Sequence, residues 1–429
     1  MKILLILAHP GTKKSFFYEF IYTSFYPSLT LDQLSAITPD KYELELIDER
    51  YQNVDFDWNG DLVGISCLTY STPHAYHVAD EFRKRGKTVV LGGYHPTALP
   101  EEAKQHADSV VIGEAEISWP QLLNDFENKT LKPFYRSKPV DPNLIPSPKR
   151  MRKQNLLFTT PIQATRGCPY GCKFCSIHKV EGSTLRMRPI HKVIGEIKSI
   201  KSKRLFFADS SLTINPKYTK ALFQEMKGLN KKFSCYGNIN ILQEDEELLF
   251  LARDAGCDLW LVGFESINSE TIKDVEKRTN KIEDYHSAIK KIKGHGMMTM
   301  GLFMFGFDAD ASGVFNSTLR TIYEWQLDRA GFAVVTPFPG TKLFDELESE
   351  DRILTKDWNK YNLKNVVFKP RNISEDELYE NTKKLVKEFY SIPNSLKRSL
   401  KDKDITLGRF LDRSIGDFSS REFYKIFGL

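Results

Sequence analysis

The chain has 429 residues and is nearly balanced in charge, with 61 Lys and Arg against 56 Asp and Glu, a formal net charge of +5. At 41% hydrophobic and 12% aromatic it can build packed cores, which excludes a largely disordered chain. The length suits two or three domains, no apolar run approaches the ~20 residues of a membrane span, and so small a positive charge singles out no polyanionic partner.

Residues 1–128 alternate short apolar runs with amphipathic stretches. The opening MKILLILAH reads as a buried strand: it is too short for a signal peptide and lacks a small-residue cleavage site. YELELID, LVGISCLTY, TVVLGGYH and SVVIGEAE follow, with helical patterns over 72–85 and 100–106. Apolar strands separated by helices predict an α/β domain with a Rossmann-like, doubly wound parallel sheet. Gly and polar residues gather just after the strands, at Pro10 and Gly11, Ser66, Gly92 and Gly93, and Gly113 and Glu114. Those are the carboxyl ends, where open α/β sheets take ligands. The absence of both G-x-G-x-x-G and G-x-x-x-x-G-K-[ST] argues against a dinucleotide and against a P-loop.

Residues 129–157 hold Pro133, Pro139, Pro142, Pro146 and Pro148 among many charges, which predicts an extended linker. Residues 158–347 alternate again: TPIQATRG, RLFFADS, FSCYGNI, DLWLVGFES, MTMGLFMFGF and RAGFAVVTPF, with helical patterns over 192–201, 218–226, 244–255, 271–278, 285–295 and 312–325. Six βα repeats are too few for a full eight-fold barrel and predict a partial (βα)6 TIM-type barrel. Residues 348–429 are polar and helical, with Ser374 and Glu377 in a capping-box arrangement at the start of a helix over 374–389.

Six cysteines are too few for a disulfide framework, and three of them, Cys168, Cys172 and Cys175, fall within eight residues. Three thiolates on one loop can hold three corners of a [4Fe–4S] cluster and leave one iron open for a substrate or cofactor. Gly167 and Gly171 let the loop wrap closely. The loop follows the first barrel strand, at the catalytic end of a βα barrel. The competing reading is zinc, with His178 as a fourth ligand. Cys67, Cys235 and Cys257 read as buried thiols.

The Cys168-x3-Cys172-x2-Cys175 spacing, with Phe174 before the last cysteine, resembles the signature of radical S-adenosylmethionine enzymes. The resemblance implies that the open iron is chelated by S-adenosylmethionine, which reduction cleaves to a 5′-deoxyadenosyl radical, and that Phe174 packs near the adenine. It places the amino-group contact at Asp209 or Ser210, the ribose contact at Glu265, the adenine-side segment at Gly301 and the sixth-strand exit at Thr336. An N-cap role competes for Asp209 and Ser210, and a strand-end salt bridge for Glu265.

Together with the N-terminal sheet, the chain resembles the cobalamin-binding subclass of that family over most of residues 1–370. The carrying residues are Leu62 to Ser66, Gly92 to Thr97, Pro100 to Glu102 and Val111 to Glu116. The resemblance implies a corrinoid over the carboxyl ends of the sheet, beside Pro10, Gly11, Ser66, Leu68, Thr69, Gly92, Gly93, His95, Gly113 and Glu114. His95 has an alternative as a loop brace bonded to backbone. D-x-H-x-x-G, which supplies an axial histidine in some cobalamin proteins, is absent, which leaves the lower axial position open, either empty or filled by water.

The implied activity is methylation of an unactivated carbon in a small-molecule, lipid or peptide substrate. Cyclisation, ring rearrangement or carbon–carbon coupling with the same cofactors is the alternative. An external electron donor such as flavodoxin or ferredoxin and a cytoplasmic location are expected with it. A nucleic-acid-binding module would rest only on the basic stretch 149–153, which reads as solvated linker. Phe303, Phe305 and Phe332 alternate along strands and read as core ahead of pocket lining.

Overall fold

The computed structural model describes residues 1–10, 28–150, 159–401, 414, 416–421 and 424. Gly11 and residues 151–157 of the expected linker lie outside the described residues.

The first unit is a six-stranded parallel sheet. Its strands are β1 (Lys2–Leu7), β2 (Glu43–Asp48), β3 (Leu62–Cys67), β4 (Thr88–Gly93), β5 (Ser109–Ile112) and β6 (Phe134–Arg136), in the order β2-β1-β3-β4-β5-β6. Leu4, Ile6, Val63 and Ile65 pack with Ala75, Val78 and Phe82 of the helix Thr72–Lys84 on one face. Ile3, Leu5 and Leu62 pack with Trp119, Leu122 and Leu123 of the helix Ala115–Glu127 on the other. Burial on both faces explains why these strands lack polar alternation. The strand order reverses between β1 and β3, so the ligand crevice of such a sheet lies at their carboxyl ends.

The sixth strand is a correction to the sequence reading. β6 sits within the expected linker and follows Pro133. Only an edge strand tolerates proline so close, because one side of it needs no hydrogen-bond ladder.

The second unit opens with β7 (Thr160–Ile162) and the short antiparallel pair β8 (Thr165–Arg166) and β9 (Arg186–Met187). Then come β10 (Arg204–Phe207), β11 (Lys232–Tyr236), β12 (Cys257–Glu265), β13 (Met298–Phe305) and β14 (Arg329–Val334). The six strands β7 and β10 to β14 form one parallel sheet in sequential order, the expected partial barrel. Phe303, Phe305 and Phe332 are buried with Trp260, Phe264 and Phe315 in the layer between strands and helices, as core. The alternate residues Met300, Leu302, Met304 and Ala333 remain half-buried on the opposite, concave face.

An open barrel leaves β14 with an unpaired edge. Here the C-terminal residues cover it: the Tyr390 hydroxyl meets the Ala330 amide at 3.4 Å and donates to the Ala330 carbonyl at 2.5 Å, and the Tyr424 hydroxyl accepts from the Phe332 amide at 2.9 Å. Satisfying edge groups in this way blocks strand addition by another chain.

A buried ionic seam joins the units. Glu114, just after β5, accepts from Arg166 at 3.2 Å and from Arg186 at 2.8 Å, and from the Val140 amide at 2.6 Å. Glu116 meets Arg166 at 2.7 Å. Arg150 spans the same boundary, reaching Asp32 at 3.1 Å and Glu196 at 2.9 Å. Removing one partner of a buried pair leaves the other charge uncompensated. Glu114→Gln is therefore expected to lower unfolding stability by ~2 kcal/mol, read as a fall in the urea midpoint. An unchanged midpoint would show that the seam contributes nothing net.

Candidate functional site

The cysteine loop is built by the turn that follows β8. Gly167 has φ +83 and Gly171 has φ +68, conformations that L side chains rarely adopt. Between and after them lie Cys168, Cys172 and Cys175, all free and half-buried. The loop is pinned on several sides. The Glu181 carboxylate accepts from the Gly167 amide at 2.9 Å, and the His178 Nε2 accepts from the Gly171 amide at 3.1 Å. The Lys173 amide donates to the Val275 carbonyl, and the Leu343 amide to the Lys173 carbonyl, so the barrel rim grips the loop from outside. With Nε2 of His178 taken by that amide, the fourth zinc ligand considered from the sequence is already engaged.

Burial pushes the three thiols up from their ordinary pKa, and the Lys277 cation pulls against it at each of them. Lys277 is the residue the sequence reading missed. It lies mostly buried, 2.9 Å from Glu265 and 5.9 Å from the centre of the Phe174 ring. Glu265, at the end of β12, is buried with φ +62, a left-handed backbone that turns its carboxylate back over Gly263. A lysine twelve residues beyond a strand-end glutamate carries no local signal of its own. Phe174 packs with Val275, Met304, Phe307 and Val335 in a small apolar cluster at the rim.

Two expected cofactor contacts are committed elsewhere. The Asp209 carboxylate is buried and accepts from the Ala164 amide at 3.1 Å, the Thr165 hydroxyl at 2.7 Å and the Thr165 amide. Ser210 donates to the Gly167 carbonyl at 3.1 Å. Both brace the backbone leading into the cysteine loop, and the N-cap of the following turn is Ser211. Burial raises the Asp209 pKa to about 7, chiefly by desolvation. The folded chain then holds that proton at pH values where the unfolded chain has lost it, so stability falls as pH rises from about 4 to 7. Asp209→Asn is expected to flatten this part of the stability–pH curve, measured by thermal unfolding at stepped pH. An undiminished slope would assign it to other groups.

Gly301 faces the helix layer: a side chain there would meet Leu327, Phe264 and Phe303 at 2.7–2.9 Å. Its smallness serves core packing. Thr336 is buried and donates to the Val334 carbonyl at 3.2 Å.

On the first sheet, Pro10, Ser66, Leu68 and Thr69 sit at the carboxyl ends of β1 and β3, at the reversal point. Leu68 is 51% exposed, and the buried Thr69 hydroxyl has no hydrogen-bond partner. Exposed apolar surface beside an orphaned hydroxyl suits an amphipathic ligand. Gly93 has φ +101, and a side chain there would meet the Cys67 carbonyl at 2.6 Å, so the fold itself demands glycine. Gly92, beside it, has room for a side chain against Val111 at 3.7 Å. Gly113 has φ +84 and its amide donates to Thr97 at 3.0 Å.

His95 and Glu114 are spent on structure. His95 is fully buried, with Nε2 3.0 Å from the Glu102 carboxylate. Tyr76 and Trp358 donate to that same carboxylate, each at 3.0 Å. His95 is a brace, through Glu102 rather than through backbone, and Trp358 carries the brace to the far end of the chain. The Glu114 side chain belongs to the ionic seam described above. Next to His95, the Tyr94 hydroxyl donates to the Pro339 carbonyl at 2.8 Å, so the crevice of the first sheet faces the rim of the barrel.

Comparison with known proteins gives two family matches: the B12 binding domain over residues 48–123 and the Radical SAM superfamily over residues 162–311. The chain is 32% identical to a bacteriochlorophyllide d C-12(1)-methyltransferase of Chlorobaculum tepidum, over 86% of this chain and 84% of that protein. It is 33% identical to the bacteriochlorophyllide d C-8(2)-methyltransferase of the same organism, over 80% of each. Its fold is similar to that of the cobalamin-dependent S-adenosylmethionine radical enzyme OxsB, solved with aqua-cobalamin and S-adenosylmethionine bound, at TM-score 0.72 and 14% identity over 98% of this chain and 71% of that one.

Proposed function

Because the chain belongs to the cobalamin-binding radical S-adenosylmethionine enzymes, we propose that it is a carbon methyltransferase whose substrate is a tetrapyrrole macrocycle. Its cofactors are a [4Fe–4S] cluster, S-adenosylmethionine and cobalamin. Bound together, these groups supply a carbon-centred radical for hydrogen abstraction and a methyl group for the resulting substrate radical. The reading of the substrate rests on the concave face of the barrel, where the apolar residues Met300, Leu302, Met304 and Ala333 stay half-buried. A broad wall of this kind, rich in adaptable methionine, suits a flat apolar ring. The two Chlorobaculum relatives, named for methylating bacteriochlorophyllides, support the same class.

The donors present fit the cofactors. Cys168, Cys172 and Cys175 would hold the cluster: one loop offers three thiols and no fourth. Lys277 and Glu265 would hold the charged and hydroxyl groups of S-adenosylmethionine beside it, a buried cation and anion within reach of the thiols. Thr69 and the exposed Leu68 would receive the corrinoid. The chain's own part is geometric. Asp209, Ser210, Glu181 and His178 keep the loop from shifting, and the Glu114 seam holds the two cofactor-bearing units at one separation. Fixing reacting groups and excluding water is what a protein contributes to radical chemistry of this type. An electron donor of the flavodoxin or ferredoxin class belongs to the same reading.

Anaerobic turnover with a bacteriochlorophyllide is expected to give a product one methyl heavier, with S-adenosylhomocysteine and 5′-deoxyadenosine in equal amounts. Deoxyadenosine with an unmethylated, cyclised product would assign the chain to the cyclase alternative. A methylated product from a non-tetrapyrrole and none from the chlorin would overturn the substrate class alone.

A further inference from the structure

The C-terminal helix Ile392–Lys401 is packed the wrong way round for a helix on a soluble surface. Such helices turn an apolar stripe inward and a charged face outward. Here the inward anchor is Arg398, which lies 3.8 Å over the Phe389 ring, donates to the Phe389 carbonyl and meets Asp417 at 2.6 Å. The outward face carries Ile392, 61% exposed, and Leu396, 48% exposed, with Pro393 between them. The Arg398–Asp417 pair also fixes Phe418 alongside, itself 46% exposed. One exposed leucine needs no explanation, but three large apolar side chains around one inverted helix do.

The charges around this stripe are mainly basic. Lys384, Lys387 and Lys397 are exposed, and Glu388 is the sole acidic residue from 381 to 401. A cavity of about 90 Å3 opens at the inner edge of the helix, lined by Lys293, Tyr323, Gln326, Leu327, Asn394, Lys397 and Arg398, with no carboxylate in the lining. Its size admits a group of a few heavy atoms, and its lining suits an oxyanion. Two independent features thus lie side by side: an apolar stripe facing outward and a small pocket with Lys293, Lys397 and Arg398 in its lining. We propose that this helix is a docking surface for an anionic lipid bilayer, with Ile392, Leu396 and Phe418 entering the acyl boundary and a lipid phosphate seated between Lys397 and Tyr323. Amphipathic helices with lysines beside a short apolar face bind membranes in this way, helped by the negative surface of the leaflet. A second copy of the chain fits less well, because two faces of like charge would oppose one another.

Sedimentation of the full chain with vesicles tests this. Association with phosphatidylcholine vesicles containing phosphatidylglycerol is expected to exceed that with pure phosphatidylcholine by roughly tenfold, and to weaken with added salt. Ile392→Asp with Leu396→Asp should reduce it to the neutral-vesicle level, with the thermal midpoint and the iron–sulfur absorption unchanged. Lys397→Glu, which leaves the apolar stripe intact, should cost most of the preference for anionic lipid. Three results would overturn the assignment: equal binding to both vesicles or to neither; binding of inorganic phosphate with no vesicle association; or a dimer in sedimentation velocity that the double aspartate variant abolishes. None of these readouts depends on methyl transfer, so failure here and failure of the substrate reading remain distinct.

Discussion

Lys277→Met is expected to destabilise the protein by about 3–5 kcal/mol, the usual cost of stranding one member of a buried ion pair. The carboxylate left behind is Glu265, buried at the end of β12 with its backbone already in the left-handed region. Among the described residues, no other cation lies within hydrogen-bond distance of that carboxylate to replace the lysine 2.9 Å away. The double variant Lys277→Met, Glu265→Gln should recover most of the loss, since it removes both charges and leaves two groups of similar shape. The same single variant has a second expected effect. The Lys277 charge acts on all three thiols, so its removal makes a cluster held there harder to reduce, read as a lower midpoint potential in a redox titration followed by electron paramagnetic resonance. A merely structural lysine would change the unfolding midpoint and leave the potential where it was. Lys277→Arg should keep the potential close to its original value, because the charge stays.

Cys172→Ala is expected to remove the iron–sulfur absorption and bring turnover below detection, while leaving the circular dichroism spectrum unchanged. Cys172 sits at the middle of the loop, and the contacts that shape the loop come from its neighbours: Gly171 through His178, Lys173 through Val275 and Leu343. The loop therefore keeps its path without that thiol but offers two ligands, too few to retain a cluster with an open iron. Iron retained at the original stoichiometry, or one zinc per chain bound by the unaltered protein, would contradict the assignment of the three cysteines.

Much of the fold was legible because burial on two faces leaves a plain mark. KILLIL, LVGISC and TVVLGG could only be interior strands, and the six βα repeats of the second unit followed from the same alternation. The strand Phe134–Arg136 was not legible: three residues next to a proline carry no periodicity, and the segment pairs because β5 presents an open edge. The cysteine loop stood out by its spacing alone. Its supports did not. Asp209 and Ser210 follow the second barrel strand at a position that suits cofactor contact, and the sequence cannot tell a carboxylate aimed at a ligand from one aimed at the Thr165 backbone. His95 looked like a ligand-facing residue because it follows two glycines at a strand end. What buries it is Trp358, more than two hundred and fifty residues away.

The sequence by itself determined the chemistry of this protein: three cysteines at a narrow spacing, after a strand, with glycines where the chain must turn. Such motifs are local, and local geometry follows from the residues that make it. The tertiary structure alone decided which polar groups remain free to use. Glu114, His95, Asp209 and Ser210 are drawn into braces and seams, while Lys277 is drawn to the thiols, because a buried polar group must find a partner and that partner comes from wherever the fold places one. The same holds for the last helix. Its sequence reads only as part of a polar, helical segment, and its packing, with Arg398 inward and Ile392 and Leu396 outward, shows which face is left to meet something else.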